Sequence, residues 1–313
     1  MIVEIILFAL GLVLLIKGSD YFVEAASRVA KGFGVSEFII ALVLASIATT
    51  LPEVTVSAIS SYQGNPDIAL GNAIGSALAN IALILGVSAL LRPLKVEKTA
   101  WKNALFMIGV TTYAGILMYD GTISRLDGAS LIFIYFGFLY YLYRKHMTLE
   151  EIPEGGRGNP KRDAIIMFGS GLLVVTGAKL VVDSAVTIAR AYGVPEIVIG
   201  LTMVSIGTSL PEFTNSLMAT IKRLPNISVG NIIGANILDV LMVIGIAALI
   251  NPIKVDATIY TFTLPLTLLV MGILTAVLRL TGRIDRLTGG VLLAIYSYFI
   301  YVYLSGGVHL PQG

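Results

Sequence analysis

Three acidic residues lie inside long apolar stretches of this 313-residue chain: Glu53 in "IATTLPEVTVSAIS" (47–60), Glu212 in "GTSLPEFTNS" (207–216) and Asp239 in "ANILDVLMV" (235–243). Most of the other acidic residues fall in connections or near the ends of such stretches. At mid-bilayer an ionisable group costs at least about 2.5–3.5 kcal/mol and faces the bundle interior, so three of them need a common purpose. The polar residues nearby are all oxygen donors: Thr49, Thr50, Ser76, Asn80, Thr208 and Ser209. Prolines add more. Pro52 has no N–H for the carbonyl of Ala48, and Pro211 has none for that of Gly207, so both helices are predicted to break there. Carbonyls at Ala48–Thr49 and Gly207–Thr208 would then face a cavity, the only place where irregular backbone survives at that depth. Such a set of hard oxygens suits Ca²⁺, which takes about six to eight of them, and not soft or imidazole-seeking metals. Up to three negative charges balance one divalent ion or several monovalent ones, hardly both at once, and that competition is the physical basis of exchange.

Simpler readings stand beside this one. "TLPE" and "SLPE" fit a capping box, with Thr50 or Ser209 as N-cap, proline in the first turn and glutamate reaching back. Asn72 and Asn231 fit interhelical hydrogen bonding, and the glycines of "GNAIG" and "GNIIG" fit close helix packing. Packing accounts poorly for Asp239, because an asparagine does that work without a charge.

The elements that position these groups follow from composition. The chain is 56% hydrophobic and only 13% charged, with mean hydropathy +0.89, whereas a soluble domain carries about 25% charged residues. It is expected to be an all-α integral membrane protein. A net charge of +2 gives no case for nucleic acid, and the absence of cysteine excludes thiolate sites and disulfides. The two histidines, His146 and His309, fall in connecting or terminal sequence, which leaves no histidine-built metal site and no cofactor. Spanning about 30 Å takes roughly 20 apolar residues, and ten segments qualify, near 2–18, 37–62, 67–91, 102–119, 127–143, 163–182, 196–220, 227–250, 258–279 and 288–306. The first lacks a basic leader and has a counterpart at 163–182, so it is expected to be a retained span. The aromatic runs at 135–143 and 296–304 are expected to form interfacial belts.

Shifting the sequence by 159 residues aligns it with itself without gaps from about Gly18 to Val96, Gly34 falling on Gly193, Thr49 on Thr208, Glu53 on Glu212 and Asn72 on Asn231. Five spans per copy place the second copy upside down, an inverted-topology repeat. The expected layout is a first five-helix repeat over 1–145 (motif region 36–91), a linker at 146–162 and a second repeat over 163–313 (motif region 195–250). Broken helices are predicted at spans 2, 3, 7 and 8. Basic residues concentrate after odd-numbered spans, which makes those loops cytoplasmic and both termini extracellular by the positive-inside rule, in a multi-pass cell-membrane protein.

The paired "TTLPE" and "TSLPE", each followed by "GN-x-IG" and then Asn80 or Asp239, resemble the two α-repeats of the cation/calcium exchanger superfamily, specifically of prokaryotic sodium/calcium exchangers. The resemblance covers essentially the whole chain. It implies an antiporter, not an enzyme, that exchanges Na⁺ for Ca²⁺ by alternating access and functions as a monomer in the bilayer. Glu53, Glu212 and the carbonyls of Thr49 and Thr208 would hold Ca²⁺; Thr208, Ser76 and the two glutamates would serve flanking sodium sites; Asn80 and Asp239 would line the middle. Spans 1 and 6, with "GLVLLIKG" and "GSGLLVVTG", would slide across the remaining bundle. Proton/calcium members carry a "GNA-x-E" element that is missing here, which favours sodium coupling. The chain departs from the family at Ala235, where serine is common, and at Ala48 and Thr50, which replace Gly and Ser. An H⁺/Ca²⁺ or K⁺-assisted exchanger is the alternative within the class. An intramembrane hydrolase using Glu53 and Glu212, or a passive channel, stands outside it.

Overall fold

The structure, a computed structural model, describes residues 2–33, 35–147, 160–192 and 208–305. Its helices are α1 (Ile2–Phe33), α2 (Glu37–Thr49), α3 (Leu51–Tyr62), α4 (Pro66–Leu91), α5 (Ala100–Leu117), α6 (Arg125–Met147), α7 (Pro160–Ala191), α8 (Leu210–Ile221), α9 (Pro225–Ile250), α10 (Ile259–Thr281) and α11 (Arg286–Leu304). Six of them, α1, α4, α6, α7, α9 and α10, are long and apolar enough to cross a membrane, or seven spans when α2 and α3 count as one bent at 43°. The remaining long helices, α5 and α11, are not among them; α5 carries Lys102 and Asn103 and α11 is rich in tyrosine. The expected span at 196–220 lies partly outside the described residues, as do most of the 146–162 linker and Gly207.

Local sequence sets the helix boundaries. Ser36 starts α2, its side chain accepting from the Ile39 N–H, and Asp285 does the same for α11 from Thr288. Proline opens α4 and α9, where its missing N–H has no helical partner to lose. The break between α2 and α3 falls at Thr50, two residues before Pro52, as expected. Spans 3 and 8 differ from expectation: α4 and α9 are continuous. Neither has an internal proline, and each accommodates its polar residue by widening to a π-helical stretch, Asn80–Leu85 in α4 and Asp239–Val243 in α9. Such stretches recur at functional sites.

The most buried spans are α9 and α4, and α1 is among the least. Two short antiparallel pairings tie the halves together, β1 (Leu94–Lys95) with β4 (Arg283–Ile284) and β2 (Thr122–Ile123) with β3 (Ile253–Lys254). Each half also lends its last helix to the other, for α6 packs on α9 where Gly128 meets Gly245, and α11 packs on α4 where Gly289 meets Gly86.

Both α1 and α7 outrun their expected spans, and in α1 the charged residues beyond the apolar stretch find partners. Arg28 Nε donates to Asp163 Oδ1 at 2.9 Å, and Lys222 Nζ, just past α8, lies 2.7 Å from Asp20 Oδ1 and 2.6 Å from Glu24 Oε1. Glycines of "GLVLLIKG" and "GSGLLVVTG" face each other: a Cβ on Gly177 would stand 2.8 Å from the Gly11 carbonyl oxygen and 2.7 Å from the Leu15 nitrogen. They hold α1 and α7 together as a close pair.

Candidate functional site

The break at Thr50 and its counterpart at Ser209 have nearly the same backbone, with φ −84° and ψ 1° against φ −87° and ψ 2°. Neither hydroxyl caps its own helix, so the capping box is not formed. Thr50 Oγ1 donates instead to Glu212 Oε1 in the other half, at 3.2 Å. The breaks therefore join the halves.

Further contacts cross the same junction. Thr49 Oγ1 donates to Asn231 Oδ1 at 3.3 Å and Thr208 Oγ1 to Asn72 Oδ1 at 3.4 Å, a matched pair under the repeat. The threonine hydroxyls also lie near the opposite glutamates, Thr208 near Glu53 and Thr49 near Glu212. Ser209 Oγ meets Ser76 Oγ at 3.3 Å. Its repeat counterpart would join Thr50 to position 235, but Ala235 has no hydroxyl to meet it. Asn72 and Asn231 thus do the interhelical bonding that packing predicts, while sitting against the site.

Glu53, Glu212, Asp239, Asn80, Ser76, Thr49, Thr50, Thr208, Ser209 and Ala48 are all buried. Glu53 is close enough to Glu212 and Asp239 for their charges to interact. Among the described residues five oxygens of this group have no hydrogen-bond partner: Glu53 Oε2, Glu212 Oε2, Asn80 Oδ1 and both of Asp239. Buried polar atoms are otherwise nearly always paired, so these five stand out. Among the described residues no group of three acidic or histidine side chains is placed to hold one metal ion.

Asn236 escaped the sequence reading. Its Nδ2 donates to the Ala77 carbonyl at 3.1 Å, and its Oδ1 accepts from Asn80 Nδ2 at 2.9 Å. That chain orients the Asn80 carboxamide so that its oxygen stays free. The repeat alignment draws the eye to positions polar in both copies, and Asn236 falls on Ala77, so only its polarity within an apolar run marked it.

Comparison with known proteins agrees with this geometry. The family model for "Sodium/calcium exchanger protein" matches residues 3–144 and 163–305. Sodium/calcium exchanger MaX1 of Methanosarcina acetivorans is 30% identical, over 96% of this chain and 98% of its own length. Inner membrane protein YrbG of Escherichia coli is 36% identical, over 86% and 87%. Among solved structures, the sodium-calcium exchanger NCX_Mj soaked with Na⁺ and Sr²⁺ superposes with a TM-score of 0.87 at 34% identity, covering 96% of this chain and 98% of that one.

Proposed function

The chain belongs to the sodium/calcium exchanger protein family, and from that premise we propose that it is an antiporter in which Na⁺ and Ca²⁺ compete for one mid-membrane site. The observation that carries this reading is the set of five unpartnered oxygens on Glu53, Asn80, Glu212 and Asp239, drawn from both halves. Glu53 and Glu212 bind Ca²⁺ with the carbonyls of Ala48, Thr49, Gly207 and Thr208. Thr50, Ser76 and Ser209 supply hydroxyls for flanking Na⁺, and Asn80 and Asp239 line the middle. The ions are cargo, and no resident cofactor takes part.

Ten spans in two inverted repeats, 1–145 and 163–313, complete the architecture, with loops after odd-numbered spans cytoplasmic and both termini extracellular. The swapped pairings of β1 with β4 and β2 with β3 support that symmetry, for β3 follows β1 by 159 residues and β4 follows β2 by 161. Access alternates as α1 and α7 move together across the bundle, a motion consistent with their close Gly11–Gly177 contact. A single chain holds the full site, so a monomer suffices.

Uptake of ⁴⁵Ca²⁺ into proteoliposomes preloaded with Na⁺, compared with K⁺-loaded vesicles and with an imposed pH gradient, tests the reading. Uptake that needs internal Na⁺ is expected. Uptake driven by the pH gradient alone would make H⁺ the coupling ion, and uptake without any counter-ion would make the protein a channel. Ala235→Ser restores the hydroxyl opposite Thr50 and frees Glu212 Oε1 from it. One added neutral ligand is worth about 1 kcal/mol, so half-saturating Na⁺ should fall about fivefold. An unchanged sodium dependence would remove Ala235 from the flanking site.

A further inference from the structure

The two halves diverge along one seam. Under the 159-residue shift, α8 has Asn215 where α3 has Val56, and the residue after each helix is Lys222 in one case and Gln63 in the other. Helix α1 has Ser19, Asp20 and Glu24 where α7 has Ala178, Lys179 and Asp183. These differences line up in space. Leu15 of α1 shares an apolar cluster with Leu210 at the start of α8, and Asp20 and Glu24 hold Lys222 at its end. The two helices therefore run in the same direction, and Ser19, one turn past Leu15 on the same face, lies level with the middle of α8. Asn215 is there, one turn past Glu212 and one before Ala219, which packs in the cluster containing Phe22 and Ala26 of α1.

Asn215 is 1% exposed and Ser19 0%. Among the described residues neither polar atom of the Asn215 side chain has a hydrogen-bond partner, nor does Ser19 Oγ or Glu212 Oε2. Each such orphan is destabilising, and Val56 fills the counterpart of Asn215 with no polar atom at all. Packing thus gives no reason for the amide. At the outer end, partial burial lowers the pKa of Lys222, but hydrogen bonds and charge from Asp20 and Glu24 outweigh it and hold it above its ordinary value, so the seam is closed there by a fixed positive charge. On the α3–α7 side Lys179 pairs within its own helix, 2.9 Å from Asp183.

We propose that Asn215, Ser19 and the Oε2 oxygen of Glu212 form a Na⁺ subsite on the α1–α8 seam, one turn from the central site toward Lys222, which the repeat-related seam lacks. A carboxamide oxygen, a hydroxyl and one shared carboxylate are hard ligands carrying a single negative charge, which matches a monovalent ion. The subsite rests on the antiporter reading and makes the site's two faces unequal: sodium arriving from the Lys222 side, cytoplasmic in the proposed orientation, is held before it reaches the centre.

Asn215→Val and Ser19→Ala each install the counterpart's residue type in the full-length chain. Sodium-dependent ⁴⁵Ca²⁺ flux is measured from each face, in inside-out and right-side-out vesicles. Half-saturating Na⁺ on the Lys222 face should rise about fivefold, the loss of one neutral ligand, and stay within about twofold on the other. In detergent, Asn215→Val should be at least as stable as the parent without Na⁺ and gain less from added Na⁺, since a ligand stabilises only what binds it. Equal shifts on both faces, or none on either with the Na⁺ stabilisation intact, would overturn the subsite. Parent vesicles lacking sodium-driven flux would overturn the antiporter reading and the subsite with it.

Discussion

Glutamine in place of Glu53 or Glu212 is expected to lower sodium-driven calcium uptake by at least about 100-fold. Each carboxylate is buried and has one oxygen with no partner among the described residues. Removing one member of a buried charge pair costs about 3–5 kcal/mol, and every 1.4 kcal/mol is about tenfold in affinity. The shape of the side chain is kept, so Thr50 still has an acceptor in Glu212→Gln, and the hydroxyl network across the junction survives. The fold should survive as well. A neutral amide carries no charge into the interior, so without ions the variants should melt no lower than the parent. What they lose is stabilisation by added Ca²⁺. Thermal melts with and without Ca²⁺, beside the flux assay, separate this from misfolding: an unfolded variant melts low in both conditions, and a folded one with flux within tenfold of the parent would sink the shared-site assignment.

Much of this site was legible in the sequence because its causes are local. Pro52 breaks the ladder wherever its helix lies, and the bend at Thr50 follows. Glu53, Glu212 and Asp239 are costly in an apolar run whatever their neighbours. The repeat register paired Thr49 with Thr208 and Asn72 with Asn231, and in the structure Thr49 meets Asn231 and Thr208 meets Asn72. What escaped depends on partners far away in the chain. The length of α1 is set by Lys222 and Asp163, neither near it in sequence. The continuity of α4 and α9 rests on a shift in hydrogen-bond register at Asn80 and Asp239 that no residue type announces. Asn236 matters only because Asn80 and Ala77 are beside it. Symmetry helped to find what the halves share and hid what only one of them has.

Gly234→Ala carries the second large expected effect, and its cause is steric where that of the glutamates is electrostatic. Helix α9 crosses α2 so closely at this residue that an added Cβ would overlap the backbone carbonyl oxygen of Leu42 and stand 2.7 Å from Ser46 Oγ. The serine can turn away, although it would give up its 2.7 Å hydrogen bond to that carbonyl. The carbonyl belongs to the backbone of the π-helical stretch Ala41–Ala45 and cannot move without α2. Crowding of this kind costs about 1–3 kcal/mol, relieved by pushing the two helices apart. These helices carry Thr49 and Asn231, whose hydrogen bond is already 3.3 Å long, and α9 also carries Asp239. A displacement of about 1 Å at reacting groups can cost about 100-fold, so calcium flux should fall at least tenfold while the protein still folds and melts lower. Gly71→Ala is the control. Its Cβ would meet only Ile259 Cδ1, at 3.9 Å, and alanine in a helix interior is worth about 0.5–1 kcal/mol over glycine, so that variant should transport normally and melt no lower. Normal flux in Gly234→Ala would mean that the α2–α9 separation does not set the geometry of the site, and the constraint would have to come from α4 and α8 instead.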